Sequence, residues 1–304
     1  MLRPPVKTAA RIPSGLQRTA ALRPGWLWTA FLLAALQVPN VQAQPPRVVR
    51  DTLHSSALDK PMRLNVYLPA GYTERIRYPV LYLFHGWGGN QDSWSETTRV
   101  DSVAADLIAR GRIRPTILVT PQLDNSNGLN SSPTALRLGE DPVFSPYKGM
   151  YEDYIRHDLV PYIDDRFSTV DAAWGRAVGG DSMGGFAALH VAFRNPGLFG
   201  RVGGFQPAMW PDDMPDEVRA FLYPDAAARQ ARDPIELARD RDLSGMEVYL
   251  DCGEQDEVRG GTQDLHRILA KKGVPAQFHL TAGGHTAERL AAHTETYLVF
   301  LAGQ

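Results

Sequence analysis

Residues 177–189 read Ala177-Val178-Gly179-Gly180-Asp181-Ser182-Met183-Gly184-Gly185-Phe186-Ala187-Ala188-Leu189. Apolar residues lead into a G-x-S-x-G pattern at Gly180, Ser182 and Gly184. A run of small residues with helical character leads out toward His190, Val191 and Phe193 and stops at Asn195-Pro196. Strand, sharp turn and helix in that order display a serine hydroxyl at the tip of the turn. The turn needs a strained backbone at the serine, and small residues two places either side let strand and helix nearly touch. The helix start aims the Met183 N–H and the positive end of the helix dipole at any negative charge that develops beside Ser182.

Outward from this turn, short apolar runs alternate with helical patterns, and no internal repeat interrupts them. Residues 62–68 alternate apolar and polar, as a half-exposed strand near a sheet edge does. Val80–Phe84, 117–119 and 248–250 are continuous apolar runs, the mark of parallel strands covered on both faces. Tyr151, Tyr154, Ile155, Leu159, Tyr162 and Ile163 share one helix face, which Pro161 is expected to kink or break. Leu290, Tyr297, Leu298 and Leu301 give a final helix that covers the sheet. The expectation is an α/β chain with a central, mostly parallel sheet and helices on both faces. Two stretches, 122–148 and 207–244, fit neither strand nor covering helix and are expected to be excursions that shape a site or merely insert at the surface.

A serine hydroxyl becomes a nucleophile only when an imidazole takes its proton, and that imidazole needs a carboxylate to fix its tautomer. Phe84-His85-Gly86-Trp87-Gly88-Gly89-Asn90 follows an early strand, where a glycine-rich loop can supply a second oxyanion N–H. Trp87 is the expected donor beside Met183, and His85 is expected to hold the loop. Residues 248–258 run from a strand into a loop carrying Asp256, the expected acid. Asp251 ranks second because it is still inside the strand, with Glu254 and Glu257 behind it. His285 alone among the eight histidines follows a late strand (277–280) through a flexible Ala282-Gly283-Gly284 turn, and is the expected base. The order Ser182, Asp256, His285 is that of α/β-hydrolases.

The motifs His85-Gly86-Trp87-Gly88-Gly89, Gly180-Asp181-Ser182-Met183-Gly184-Gly185, Asp251-Cys252-Gly253 with Asp256, and Gly283-Gly284-His285 together resemble the putative-esterase family. That family includes esterase D, bacterial feruloyl esterases, enterochelin esterases and antigen 85 mycolyltransferases. The resemblance runs from about residue 50 to the end. It implies an α/β-hydrolase fold, no metal or organic cofactor, and hydrolysis or transfer of acyl groups through an acyl-enzyme. Members often carry a tryptophan shortly after the catalytic histidine, whereas Thr286-Ala287-Glu288-Arg289 follows here, so a feruloyl-type pocket has to be built from other residues. Trp94 and Trp210 are the expected substrate-binding aromatics, with Trp87, Phe144 and Tyr147 as further candidates. The substrate expected is a small-molecule or glycan-linked ester. The alternatives are an acyltransferase using the same triad and a non-catalytic homologue that binds a glycan or siderophore.

The composition is that of a globular chain, 43% hydrophobic and 22% charged over 304 residues. The first 43 residues hold five basic residues (Arg3, Lys7, Arg11, Arg18, Arg23), no acidic residue, an apolar run over 26–36 and then Val41-Gln42-Ala43. That order predicts an export signal cleaved after Ala43, leaving 44–304 as a single catalytic domain in the periplasm or outside the cell. The apolar run is about half of the roughly 20 residues that span a bilayer. Without those residues 27 Lys and Arg face 34 Asp and Glu, a net charge of −7 that excludes nucleic acid as a natural partner. Cys252, the single cysteine, permits no internal disulfide and reads as a buried filler. No H-E-x-x-H or comparable ligand cluster suggests a metal.

Overall fold

The alternation of apolar runs with helical segments gives an eight-stranded sheet in the computed structural model, which describes residues 44–210 and 214–303. In chain order the strands are β1 (Arg47–Ser55), β2 (Lys60–Leu68), β3 (Val80–Phe84), β4 (Ile117–Pro121), β5 (Arg176–Asp181), β6 (Arg201–Phe205), β7 (Glu247–Gly253) and β8 (Ala276–Thr281). They lie in the order β1-β2-β4-β3-β5-β6-β7-β8. β2 pairs antiparallel with β1 and β4, and every other pairing is parallel. This is the α/β-hydrolase architecture. The expected signal segment, 1–43, lies outside the described residues.

β3 shows how the sheet makes two cores. Val80, Tyr82 and Phe84 belong to one buried cluster with Tyr154, Ile155 and Phe186, while Leu81 and Leu83 belong to a second with Trp94, Leu107 and Tyr297. Successive side chains of a strand point to opposite faces, so the clusters lie on the two sides of the sheet. Each fully buried Leu or Phe contributes roughly 1.5–3 kcal/mol, which lets the fold dispense with a disulfide. Cys252 is a buried free thiol whose pKa is pushed up to about 12 by burial and by Asp256 and Asp251, so it is not a nucleophile.

Two expectations are corrected and one strand is new. β1 was not foreseen, because only Leu53 and Ser55 in it are buried and the remainder carries no apolar alternation. β2 is half-exposed only at its start. From Leu64 onward it is buried on both faces, since β1 flanks it and the 90–92 loop covers it through Asn65 and Thr120, which both donate to the Gln91 carbonyl. The 151–163 face is buried as expected, but it comprises a helix Tyr151–Asp153, a π turn Tyr154–Leu159 and a helix Val160–Arg166. Pro161 sits at the start of the Val160–Arg166 helix directly after the π turn, whose wide geometry accommodates its missing N–H.

The parallel register sets the site. Phe84 lies opposite Gly180, Asp181 opposite Phe205, Phe205 opposite Asp251, and Gly253 opposite Thr281. Five strands therefore end on one line, and the loops that follow them gather at the carboxyl edge, where open α/β sheets place their ligands.

Candidate active site

Ser182 stands between β5 and the helix Met183–Arg194 with φ 53° and ψ −114°. A conformation of this kind costs of order 1–3 kcal/mol and persists only when its surroundings hold it. Here the Ser182 N–H donates to the Phe205 carbonyl at 3.0 Å, and the Ser182 carbonyl accepts from Ala208 at 2.9 Å and Phe186 at 3.0 Å. The flanking glycines are sterically required. A Cβ on Gly180 would lie 2.3 Å from the Gly184 backbone, and one on Gly184 would lie 2.3 Å from the Phe84 carbonyl oxygen. The G-x-S-x-G spacing thus records a crossing of β3, β5 and the helix.

The Ser182 hydroxyl donates to His285 Nε2 at 2.8 Å, and His285 Nδ1–H donates to Asp256 Oδ2 at 3.0 Å. The structure thus brings Ser182, His285 and Asp256 together in one relay. Asp256 is held in turn: its Oδ1 accepts the Val258 N–H at 3.0 Å and its side chain is fully buried. The acid and base loops brace each other, with Gln255 N–H donating to the Gly283 carbonyl and Gly283 N–H to the Gln255 side chain. Burial acts to lower the His285 pKa, but the hydrogen bond and charge of Asp256, with Asp181 and Glu257, outweigh it and leave it raised above the ordinary imidazole value. An imidazole so placed is stabilised once it has taken a proton.

Asp251, the second-ranked acid, is engaged elsewhere. It accepts from Tyr297 Oη at 2.7 Å and from the Gln206 N–H at 2.9 Å, and pairs with Arg289 at 3.1 Å. Gln206 passes this network on by donating to Asp181 Oδ1 at 2.9 Å and to the Thr286 carbonyl at 3.3 Å. Burial raises the Asp181 pKa to about 6, while Gln206 and His285 act to lower it and Asp251 and Asp256 add to the rise. Gln206 and Arg289 were missed in the sequence. Neither carries a sequence signal, since Arg289 is one of several charged residues on the final helix, with Glu288 and Glu295.

His85 is a holding residue. Its Nδ1–H donates to the Gly86 carbonyl at 2.8 Å and its Nε2 accepts the Leu123 N–H at 3.0 Å, while burial lowers its pKa and keeps it neutral. Gly88 N–H is tied to Asn125 Oδ1 at 2.7 Å. No described residue accepts from the N–H of Trp87 or of Met183, and both residues border the same cavity as Ser182.

Two clefts meet at Ser182. The first, about 310 Å³, is apolar and includes Trp87, Trp210, Val218, Phe221 and Leu222. Trp87 meets Phe221 edge to face at 6.4 Å, joining the glycine-rich loop to the 207–244 excursion. The second, about 320 Å³, holds His285, Thr286, Asp181 and Gln206. Trp210 stands in the apolar cleft. Trp94 does not: it is 2% exposed, donates its indole N–H to the Phe84 carbonyl at 3.0 Å and packs edge-on against Phe205. It lines the second cleft instead, beside Ser182 and His285. Phe144 is 62% exposed over Gly88, and Tyr147 lines a separate polar cavity with Lys60 and Asp124. Among the described residues no cluster of His, Cys, Asp or Glu could hold a metal ion, and no helix is long and apolar enough to cross a membrane.

A family model described as Putative esterase matches residues 55–297. An endo-1,4-beta-xylanase/feruloyl esterase of Xylanibacter ruminicola is 34% identical over 224 residues, covering 72% of this chain and 26% of that protein. Endo-1,4-beta-xylanase Y of Acetivibrio thermocellus is 26% identical over 163 residues, 50% of this chain and 13% of that one. The chain thus spans about a quarter or less of the length of these curated relatives. Among solved structures, a ferulic acid esterase superposes with a TM-score of 0.72 at 24% identity over 85% of this chain and 98% of that one. An S-formylglutathione hydrolase from Agrobacterium tumefaciens gives 0.67 at 18% identity over 85% and 96%. A ferulic acid esterase of Anaeromyces mucronatus in complex with ferulic acid gives 0.64 at 22% over 87% and 93%. These structures share the fold.

Proposed function

The chain belongs to the Putative esterase family, with its α/β-hydrolase fold, and from that premise we propose that it is an exported serine esterase acting through an acyl-enzyme on Ser182. The observation that carries this reading is the unbroken relay from Ser182 Oγ through His285 to Asp256, at 2.8 and 3.0 Å. His285 takes the Ser182 proton as the oxygen attacks the ester carbonyl. The N–H groups of Met183 and Trp87 receive the negative charge on the carbonyl oxygen. His285 then returns the proton to the leaving alcohol, and water activated by the same imidazole releases the acid.

The proton's route assigns the clefts. Since His285 protonates the leaving oxygen, the alcohol lies in the cleft that contains His285, and the acyl group lies in the apolar cleft with Trp87, Trp210 and Phe221. An aromatic acyl group suits those walls, in keeping with the feruloyl and ferulic acid esterases among the similar proteins. Export is proposed from the basic, then apolar, then small-residue order of 1–43.

The test is fluorophosphonate labelling of wild type and Ser182→Ala, followed by an ester panel from acetyl to feruloyl. Labelling lost in the variant, with turnover favouring aromatic acyl esters, supports the proposal. A folded wild-type protein that neither labels nor turns over any ester overturns it in favour of a binding role.

A further inference from the structure

The apolar cleft beside Ser182 has a polar side chain in its wall whose role is unassigned, Asn127, only 4% exposed. Its neighbours have spent their hydrogen bonds. Asn125 accepts from Gly88 and donates to the Val143 and Ser145 carbonyls, at 2.7, 2.7 and 3.0 Å. Ser126 Oγ donates to the Leu123 carbonyl and accepts from Gly128 N–H, at 2.7 and 3.1 Å. The carboxamide of Asn127 has no partner among the described residues. Neither its nitrogen nor its oxygen is among the fully buried polar atoms that lack a partner, so both open onto the cleft, where only solvent or a ligand can meet them.

The backbone does not supply it. Asn127 has φ 54°, a conformation that asparagine tolerates, but glycine meets the same need without placing an amide in the cleft wall. The position is also rigid. Gly88 ties the loop to the glycine-rich segment, and Gly128 packs so closely on the nucleophile helix that a Cβ there would lie 2.9 Å from Ala187 Cβ. A fixed, unpaired amide in an apolar wall is the arrangement that selects a polar substituent on an apolar ligand.

We propose that Asn127 is a specificity-determining residue that hydrogen-bonds a ring hydroxyl of an aromatic acyl group. This rests on the assignment of the apolar cleft as the acyl site. An amide both donates and accepts, so it satisfies a phenol in either sense.

The experiment compares kcat/KM for methyl cinnamate with its 2-, 3- and 4-hydroxy isomers. Wild type is expected to favour one hydroxylated isomer by about tenfold, the scale of one hydrogen bond. In Asn127→Gly, which keeps the left-handed backbone, that preference, read as the ratio of kcat/KM for each hydroxy isomer to kcat/KM for methyl cinnamate, is expected to vanish. If the glycine variant does not fold, Asn127→Asp replaces it and the isomer ratio is again expected to change. A wild type with no isomer preference, or a ratio unchanged in the variant, overturns the role of Asn127 alone. A wild type that turns over no ester overturns the esterase reading and this inference with it.

Discussion

Replacing Asp256 by Asn tests the relay at its most sensitive joint. In the wild type one carboxylate oxygen accepts the buried Val258 N–H and the other accepts His285 Nδ1–H, each at 3.0 Å. Asparagine can keep only one of these. With its oxygen on Val258, its NH2 faces Nδ1, so the imidazole carries its proton on Nε2 and cannot accept one from Ser182. The flipped amide restores the working tautomer but sets NH2 against the Val258 N–H, at about 2 kcal/mol for the lost bond, so roughly one molecule in thirty adopts it. That minority also lacks the negative charge that supports the imidazolium, a contribution of roughly 2–3 kcal/mol. Together these predict a fall in kcat of about 10³ to 10⁴, the scale seen when a triad acid becomes an amide. The assay is steady-state turnover of an activated ester, with folding checked by thermal unfolding. A kcat within tenfold of wild type refutes the assignment of Asp256. Asp251→Asn is the contrast: it strips a buried partner from Arg289 and Tyr297, so stability falls by about 3 kcal/mol while the triad stays intact.

Because turnover needs neutral His285 and Asp256 favours its cation, the acid limb of kcat/KM against pH is expected above the ordinary imidazole value of 6.5, and to move down in Asp256→Asn. An unmoved limb in the variant counts against His285 as the titrating base. Asp181, with a pKa raised to about 6, binds its proton more tightly folded than unfolded, so its contribution destabilises as pH rises from about 4 through 6. Asp181→Asn keeps the oxygen that accepts from Gln206 and is expected to gain up to about 2–3 kcal/mol at pH 8 and nothing at pH 3; equal melting temperatures for variant and wild type at pH 8 contradict this. Gly184→Ala drives a methyl into the Phe84 and His85 carbonyls and is expected to lose about 3 kcal/mol or more by denaturant unfolding; a stability like wild type refutes the crossing geometry. N-terminal sequencing of protein recovered after export is expected to begin at Gln44, and an intact Met1 there contradicts cleavage.

The sequence by itself determined the features carried by local pattern. G-x-S-x-G between an apolar run and a small-residue helix, the glycine loop after β3, and the histidine after a late strand each have steric or chemical reasons that act within a few residues. From these the fold class, Ser182 and His285 were legible, and the chain order placed an acid after β7. Tertiary structure decided what the pattern could only rank or treat alike. Asp251 and Asp256 lie five residues apart, but the strand end turns one toward Arg289 and Tyr297 and the other toward His285. Trp94 and Trp210 are equally aromatic, yet one is spent on the Phe84 carbonyl and the other walls the apolar cleft. Gln206, Arg289 and Asn127 carry no motif at all. Their roles come from register, which aligns five strand ends, and from loops brought together over dozens of residues, a distance across which spacing in the chain says nothing about spacing in the fold.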